Sequence, residues 1–416
     1  MPRHDFAGAP LEGGVPTMIS QLRYLRPSAP FRSTFQYNNM MYETISHLPK
    51  RLLNVSFECF VNQHIFKPLG MNASTYSVEE AEARRYPPDY IFSDSLDART
   101  ISANHATESI PVMAEGHQYS LRDFYLKERV PQTNLTLIPP EVLNRLETGV
   151  MVTEGKAAYP EFSPKVYGPA QWRYAYRGHE IIEHGGNNPG FKTQIARLPN
   201  LVGKIPLFPN ATGLGIAVFS NDADGGPVLE GVKFRIIDDL LRLEEIDWYS
   251  RFVNDTEVYY AMKRRMAIPR PQDPQPPPRP ISTLQDYSFE HPATPLRLKP
   301  MTFFEGENHR LTECNHIPTL VIPFHRTFAT HLRLTHWSGP WFNLTVVWGN
   351  HGEHESKDEK NRILIGLDER FEVEWVTYEE EEGLAFRGGI WGMEGPDATA
   401  PKERGKKGAE VWFAKV

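Results

Sequence analysis

The sequence predicts an α+β domain, an antiparallel sheet flanked by helices, followed by a small all-β barrel. Three observations lead there. First, "YAYRGHEIIEHGG" (174–186), "GFKTQIARLP" (190–199) and "GLGIAVFSN" (213–221) are strand-like runs separated by Gly, Pro and Asn turns. Short links between consecutive strands imply antiparallel pairing, and the amphipathic run "GPVLEGVKFRIIDDLLRLEEI" (226–246) supplies a helix to close over them. Second, "IPRPQDPQPPPRP" (268–280) is a stiff polyproline linker and the strongest boundary in the chain. Third, the segments beyond it, "THLRLTHWSG", "PWFNLTVVWGN", "ILIGLDERFEVEWVTYEEEEGLAFRGGIWG" and "AEVWFAKV", alternate aromatic and aliphatic residues between turns. The expected division is 1–265, a linker at 266–280, and 281–416, in keeping with a length of 416 residues.

The elements follow in order. Residues 1–34 are rich in Pro, Gly and Arg and read as irregular surface. From 40 to 66 the spacing is helical, interrupted at Pro49, with Phe57, Phe60, Val61 and Ile65 on one face of a second helix. Pro68 and Gly70 in "KPLGM" stop it. Residues 72–135 are polar with weak periodicity and predict no definite element, and "PPEVLNRLETGV" (139–150) is a short helix after two prolines. In the 226–246 helix, Leu229, Val232, Ile236 and Leu240 share one face, and Asp224 is a possible cap.

Composition narrows the function. Hydrophobic residues make up 40% and charged residues 23%, enough for a sizeable core. A net charge of -7 and a pI near 6.1 give no reason to expect nucleic acid or an anionic membrane as partner. No apolar run approaches the ~18 residues of a membrane span, and "MPRHDFAGAPLEGG" lacks the apolar stretch of a secretory signal. Cys59 and Cys314 have neither metal nor redox spacing and read as buried thiols. Asn54, Asn72, Asn134, Asn210, Asn254 and Asn343 each stand in Asn-x-Ser/Thr and are candidate glycosylation sites, hinting at a secreted lineage.

Two short stretches carry the chemistry. "FQYNNMMY" (35–42) puts Tyr37 two positions before Asn39 at a helix start, and "EHGGNNPGF" (183–191) puts His184 before two glycines at the turn between two predicted strands. Read alone, these are a half-buried tyrosine and a turn histidine, although consecutive glycines let a backbone approach a ligand closely. Other histidine-bearing stretches are weaker. "NHGEHESKDEK" (350–360) fits neither His-Glu-x-x-His nor its inverse and reads as a solvated hairpin loop. His325, His331 and His336 lie near strands at mixed parity, "EEEEG" (379–383) is a charged turn, and no metal site is predicted.

In combination, "FQYNNMMY", "IFKPLGM" and "IIEHGGNNPGF", with a strand-strand-helix ending, resemble the serine β-lactamase and penicillin-binding-protein family, especially its class C-like fungal hydrolases and esterases. The resemblance covers roughly residues 1–250, and the second module is similar to lipocalin-like barrels appended to some members. It implies an acyl-serine route without metal or organic cofactor, on a small-molecule or peptide-like ester, amide or β-lactam-like substrate. Tyr37 matches the proton-transfer tyrosine of Tyr-x-Asn, and Asn39 the residue whose amide holds the substrate's acyl side. His184-Gly185-Gly186 matches the Lys-Thr-Gly position in its His-x-Gly variant. His184 would be the polar or cationic partner, Gly186 part of the substrate strand, and the Asn187 backbone N–H one oxyanion donor. A phenol of pKa about 10 needs a nearby cation to act as phenolate.

One departure stands out. No serine has lysine three positions on; Ser46 and Ser356 have it at the fourth, and Ser20 has Arg23 at the third. An arginine cannot accept a proton. "PRHD" segments of the family lie downstream of the nucleophile helix, so the expectation is a chain that starts after Ser-x-x-Lys. The family's Ala-Gly-Gly and Ser-Ser stretch is likewise not recognisable between 112 and 130. The alternative is a binding protein that keeps the acyl pocket and has lost the nucleophile. If the family roles hold, Tyr37, Asn39 and His184 must converge, because proton transfer and oxyanion stabilisation act on one carbonyl within about 3 Å.

Overall fold

The structure is a computed structural model describing residues 14–24, 29–72, 74–76, 89–92, 98–101, 139–188, 191–220, 222, 224–266, 268–291, 294–298, 301–302, 317–326, 329–349, 364–378, 380–387 and 403–416. The first helices are short and individually capped. Helix α1 (Gly14–Gln21) packs Val15 and Met18 against Met40 of α2 (Asn39–Ser46). Asn38 caps α2, its side-chain oxygen accepting from the Met41 N–H at 2.9 Å. Pro49 opens α3 (Leu48–Leu53), which ends at Asn54 in the left-handed region (φ 54°). Ser56 caps α4 (Phe57–Val61) through the Cys59 N–H. A π-helical turn, Asn62–Phe66, leads into α5 (Lys67–Leu69), closed by Gly70 at φ 69°. Cys59 is exposed rather than buried, because α4 turns Val61 inward instead. Cys314 and the 350–360 loop lie outside the described residues.

A two-stranded hairpin, β1 (Asp89–Phe92) with β2 (Ala98–Ile101), precedes α6 (Pro140–Glu147). Six strands then form an antiparallel meander: β3 (Met151–Glu154), β4 (Lys165–Tyr167), β5 (Trp172–Tyr176), β6 (His179–Asn188), β7 (Phe191–Leu198) and β8 (Leu214–Ser220). The expected run 174–186 is thus two strands, folded over Arg177 and Gly178 at φ 47° and 81°. Helices α7 (Gly226–Leu241) and α8 (Trp248–Met266) cover one face. Its core joins Tyr174, Tyr176, Ile181, Ala196 and Leu198 to Phe234, Ile237 and Trp248. Each large apolar side chain buried there contributes about 1.5–3 kcal/mol. Tyr176 ties the layers polarly: it donates to Asp238 Oδ1 (2.8 Å) and accepts from Trp248 Nε1 (2.9 Å). On the opposite face, Arg197 pairs with the Glu147 carboxylate, and Arg173 donates to the Glu147 carbonyl at the end of α6 (3.0 Å).

The buried stripe of α7 differs from expectation. Leu229, Lys233, Phe234, Ile237, Asp238 and Leu241 are buried, while Val232 is 40% exposed. The buried face is rotated from the expected one because Lys233 is paired with Glu183 and Glu230 and Asp238 Oδ1 accepts from Tyr176, which lets both charged residues turn inward. The N-cap is Gly225, not Asp224.

Past α8, the proline-rich segment lies against the second sheet. Arg270 donates to the Trp337 carbonyl (3.1 Å), and Gln275 exchanges bonds with Ser338 and Gly339. That sheet comprises β9 (Phe289–His291), β10 (Thr294–Leu298), β11 (Met301–Thr302), β12 (Thr319–Arg326), β13 (Ala329–Ser338), β14 (Trp341–Gly349), β15 (Leu364–Val376), β16 (Gly383–Arg387) and β17 (Val411–Lys415). All neighbours are antiparallel, in the order β10-β9-β17-β16-β15-β14-β13-β12-β11, and the sheet curls into a half-barrel. Its interior is filled by side chains including Leu332, Leu334, Phe342, Leu344, Trp375 and Phe386. Among the described residues, no helix is long and apolar enough to cross a membrane.

Candidate active site

β6 outruns its neighbour. β5 pairs with it only from Trp172 opposite Glu183 to Tyr176 opposite His179. From His184 to Asn188 β6 pairs with β7, and on its other side no strand is paired among the described residues. His184, Gly185, Gly186 and Asn187 therefore sit inside a strand with a free edge, not in a turn as the sequence suggested. An edge of this kind presents backbone donors and acceptors to an extended ligand.

Aromatic rings gather beside that edge. The Tyr37 ring lies 6.0 Å from that of His184, 6.3 Å from Trp172, 6.4 Å from Tyr42 and 6.5 Å from Tyr167, centroid to centroid. Trp172 approaches His184 to 4.7 Å, and Phe35 leans on Tyr167 at 4.9 Å. The structure thus brings Tyr37 and His184 together across 147 positions of sequence. Asn39 is buried (3% exposed) as the first residue of α2, and the cap beside it is Asn38. Gly186 stands opposite Thr193, and exposed Asn187 stands opposite Lys192, whose ammonium donates to the Asn187 side-chain oxygen.

A line of hydrogen bonds enters from behind. The His184 Nδ1–H donates to the Gly185 carbonyl at 2.6 Å, which leaves Nε2 to accept from the Tyr167 hydroxyl at 3.3 Å. Tyr167 in turn lies 3.2 Å from the Tyr42 hydroxyl. Burial pushes the His184 pKa down, against smaller opposing effects of the Gly185 bond and the Glu183 charge, so the ring is neutral at pH 7. A neutral ring fits the polar one of the two roles, polar or cationic, that the resemblance implies for His184. Burial likewise pushes the Tyr42 phenol up, against weaker lowering by its hydrogen bonds to Tyr167 and Ala170.

Sequence reasoning missed Tyr42, Tyr167 and Trp172. Tyr42 ends the same "YNNMMY" stretch as Tyr37, and the other two flank the tight turn in "VYGPAQW"; that repetition of aromatics was the available signal. Of the candidate glycosylation sites, Asn54, Asn72, Asn210 and Asn254 are exposed, whereas Asn343 is half-buried in the middle of β14. Asn134 lies outside the described residues.

The profile of the Beta-lactamase family matches residues 2–239, more than half of the chain. Two curated proteins are similar. Unguisins hydrolase ungD' of Aspergillus campestris (strain IBT 28561) is 27% identical over 313 residues, covering 70% of this chain and 55% of its own. Unguisins hydrolase ungD of Aspergillus violaceofuscus (strain CBS 115571) is 25% identical over 314 residues, covering 68% and 53%. The chain spans about half the length of these relatives. Among solved structures, the octameric penicillin-binding protein homologue from Pyrococcus abyssi has 15% identity and a TM-score of 0.38, covering 92% of this chain and 65% of that one. A penicillin binding protein from Bacillus halodurans has 16% identity and a TM-score of 0.39, covering 56% and 68%.

Proposed function

The chain belongs to the Beta-lactamase family, and from that premise we propose that it carries the acyl pocket of a serine hydrolase or acyltransferase. Its substrate would be a small-molecule or peptide-like ester, amide or β-lactam-like compound, with neither metal nor organic cofactor taking part. The names of the Aspergillus relatives describe hydrolases, and we assign the same reaction type here. The observation that carries this reading is the meeting of Tyr37, Tyr167 and His184 beside the free edge of β6.

In the proposed reaction a serine oxygen bonds to the substrate carbonyl carbon while Tyr37 takes the serine proton and passes it to the leaving group. Water then releases the acyl group from serine. The Asn187 backbone N–H would be one oxyanion donor, worth about 3 kcal/mol of barrier, with Gly186 beside it in the substrate strand and Asn39 on the acyl side. Neutral His184 would hold the phenols in line through Tyr167 and Tyr42. Since His184 is not a cation, the charge that favours a Tyr37 phenolate would come from the lysine of Ser-x-x-Lys. No such motif occurs in the 416 residues, so serine and lysine would come from sequence outside them. The alternative, a binding protein that keeps the pocket, rests on the same absence. We further propose a pocket domain at 1–265 and a half-barrel domain at 281–416 joined by the 266–280 linker, supported by two hydrophobic cores that share no residue.

The test is intact-mass analysis after treatment with a fluorophosphonate. The 416-residue chain should gain no adduct. The same chain extended upstream by a Ser-x-x-Lys helix should gain one per molecule. An adduct on the unextended chain would overturn the assignment of the nucleophile, and a folded extended chain that stays unmodified would favour the binding protein.

A further inference from the structure

Behind His184, on the side of the sheet covered by α7, lies a buried ionic cluster with no part in the reaction just described. Lys233 of α7 is fully buried, and its ammonium donates to Glu183 Oε2 at 2.7 Å and to Glu230 Oε2 at 2.6 Å. The Gln194 amide of β7 donates to the same Glu183 oxygen at 2.9 Å. Register explains the contact: Gln194 stands opposite Gly185, so it shares a face with Glu183 two residues away along β6. The Gln194 side chain crosses over Gly185, where an added Cβ would come within 2.7 Å of Gln194 Oε1. A side chain at 185 would therefore have to displace the Gln194 carboxamide, which lies where its Cβ would stand.

Burying a lysine against the Glu183 carboxylate, with Glu230 still 29% exposed, is costly unless each group is paired. The expense falls on the residue next to His184 in the chain. We propose that Glu183, clamped by Lys233 and Gln194, is a positioning residue of the acyl site. It fixes the Gly185 peptide so that its carbonyl receives the His184 Nδ1–H and the ring presents Nε2 to Tyr167. The role rests on the acyl-pocket reading for its purpose, but its geometry stands apart from catalysis. A packed apolar side chain at 183 would hold the sheet as well, yet it would fix neither Gln194 nor the peptide it covers.

The groups around the two centres are these. His184 faces Tyr37 beside α2 and Tyr167 on β4, with Tyr42 on α2 behind Tyr167 and Glu183 next to it in the chain. Glu183 faces Lys233 and Glu230 on α7, Gln194 on β7 and Tyr174 on β5; Lys165 acts on Glu230 and Glu154 on Tyr174 from farther out. Burial and the Glu183 charge both push the Tyr174 phenol up, so it stays a neutral donor. Burial lowers the Lys233 pKa less than the two carboxylates raise it, which keeps the ammonium charged.

The experiment is long-range proton–nitrogen NMR of the full 416-residue chain labelled with nitrogen-15 in histidine, with His184 assigned by loss of its signals in His184→Gln. At pH 7 the ring should show one neutral tautomer, protonated at Nδ1. Glu183→Gln preserves shape and removes charge; it should lower the His184 titration midpoint and move both ring nitrogens toward tautomer-averaged positions. Gln194→Ala should give the same averaging. Lys233→Arg, which keeps the clamp's charge, should retain the wild-type tautomer. Folded Glu183→Gln and Gln194→Ala chains with an unaltered His184 spectrum would overturn the proposal. Should Gln194→Ala fail to fold, Glu183→Gln decides alone. Because the readout involves no acylation, an unreactive extended chain would remove the hydrolase reading and leave this role standing, while an unaltered spectrum removes the role alone.

Discussion

The six-stranded sheet and the half-barrel both bury a carboxylate under cationic partners, and they use it differently. In the half-barrel, Glu374 is fully buried and accepts from Arg387 (2.8 Å), Arg404 (3.2 Å), the Gly405 N–H (2.9 Å) and Tyr378 (3.2 Å). These donors fasten the 405–408 turn to β15 and β16, and β14, β15 and β16 each have a strand on both sides. In the six-stranded sheet, Glu183 marks the last pair of β5 with β6, and beyond it no strand pairs with β6 on that side among the described residues. One network closes a structure, and the other braces a strand that has been left open. The contrast locates the candidate site where pairing stops.

The largest expected effects test whether the two networks differ in purpose and not in strength. Glu374→Ala leaves Arg387 buried without its carboxylate, and Lys233→Met leaves Glu183 without its main cation. Each should cost about 3–5 kcal/mol, since removing one partner strands a buried charge. Urea denaturation of the full chain measures both. Only Lys233→Met should also change the His184 nitrogen spectrum. A loss below about 1 kcal/mol for Lys233→Met would mean that α7 opens to water there and that the buried clamp is not real.

A smaller effect belongs to the approach to the pocket. Asn38→Ala removes the cap of α2 and should cost about 1 kcal/mol. Because Tyr37 precedes the cap, the same variant should weaken whatever the pocket binds. If stability falls and binding does not, the position of Tyr37 is set by its aromatic neighbours alone.

The smallest effect is in pH. Burial holds the His184 pKa below its unfolded value of about 6.5, so the unfolded chain takes up a proton first as pH falls. The stability that His184 contributes is complete above that value and is lost as pH drops through it toward the folded pKa. Burial lowers His179 and His336 in the same way, while Glu230 and Asp238, pushed up by burial, act in the opposite direction at lower pH. Replacing His184 with Gln should flatten the acid limb of the stability curve below about pH 6.5. An unchanged limb would place the ring in water.

Much of this was legible in the sequence, for reasons that also mark the limits. Alternation in "THLRLTHWSG" yields the inward Leu332 and Leu334 directly, because a curled sheet with one packed face obeys a period of two. Arg177-Gly178 hid a hairpin, since arginine is not a residue expected at positive φ. The α7 face was rotated because Lys233 and Asp238 are buried by partners on other strands and helices, which no local pattern reports. Tyr37 and His184 were named from a resemblance, not from spacing. Tyr167 and Trp172 come to lie beside His184 only through the tertiary fold.

The most direct test of the acyl pocket is a crystal structure of the chain with an N-acyl dipeptide amide bound. The account predicts an extended ligand added to the free edge of β6, its carbonyl oxygen about 3 Å from the Asn187 backbone N–H and its acyl group against Tyr37 and Trp172. A ligand seated elsewhere, with His184 to Asn188 uncontacted, would contradict it.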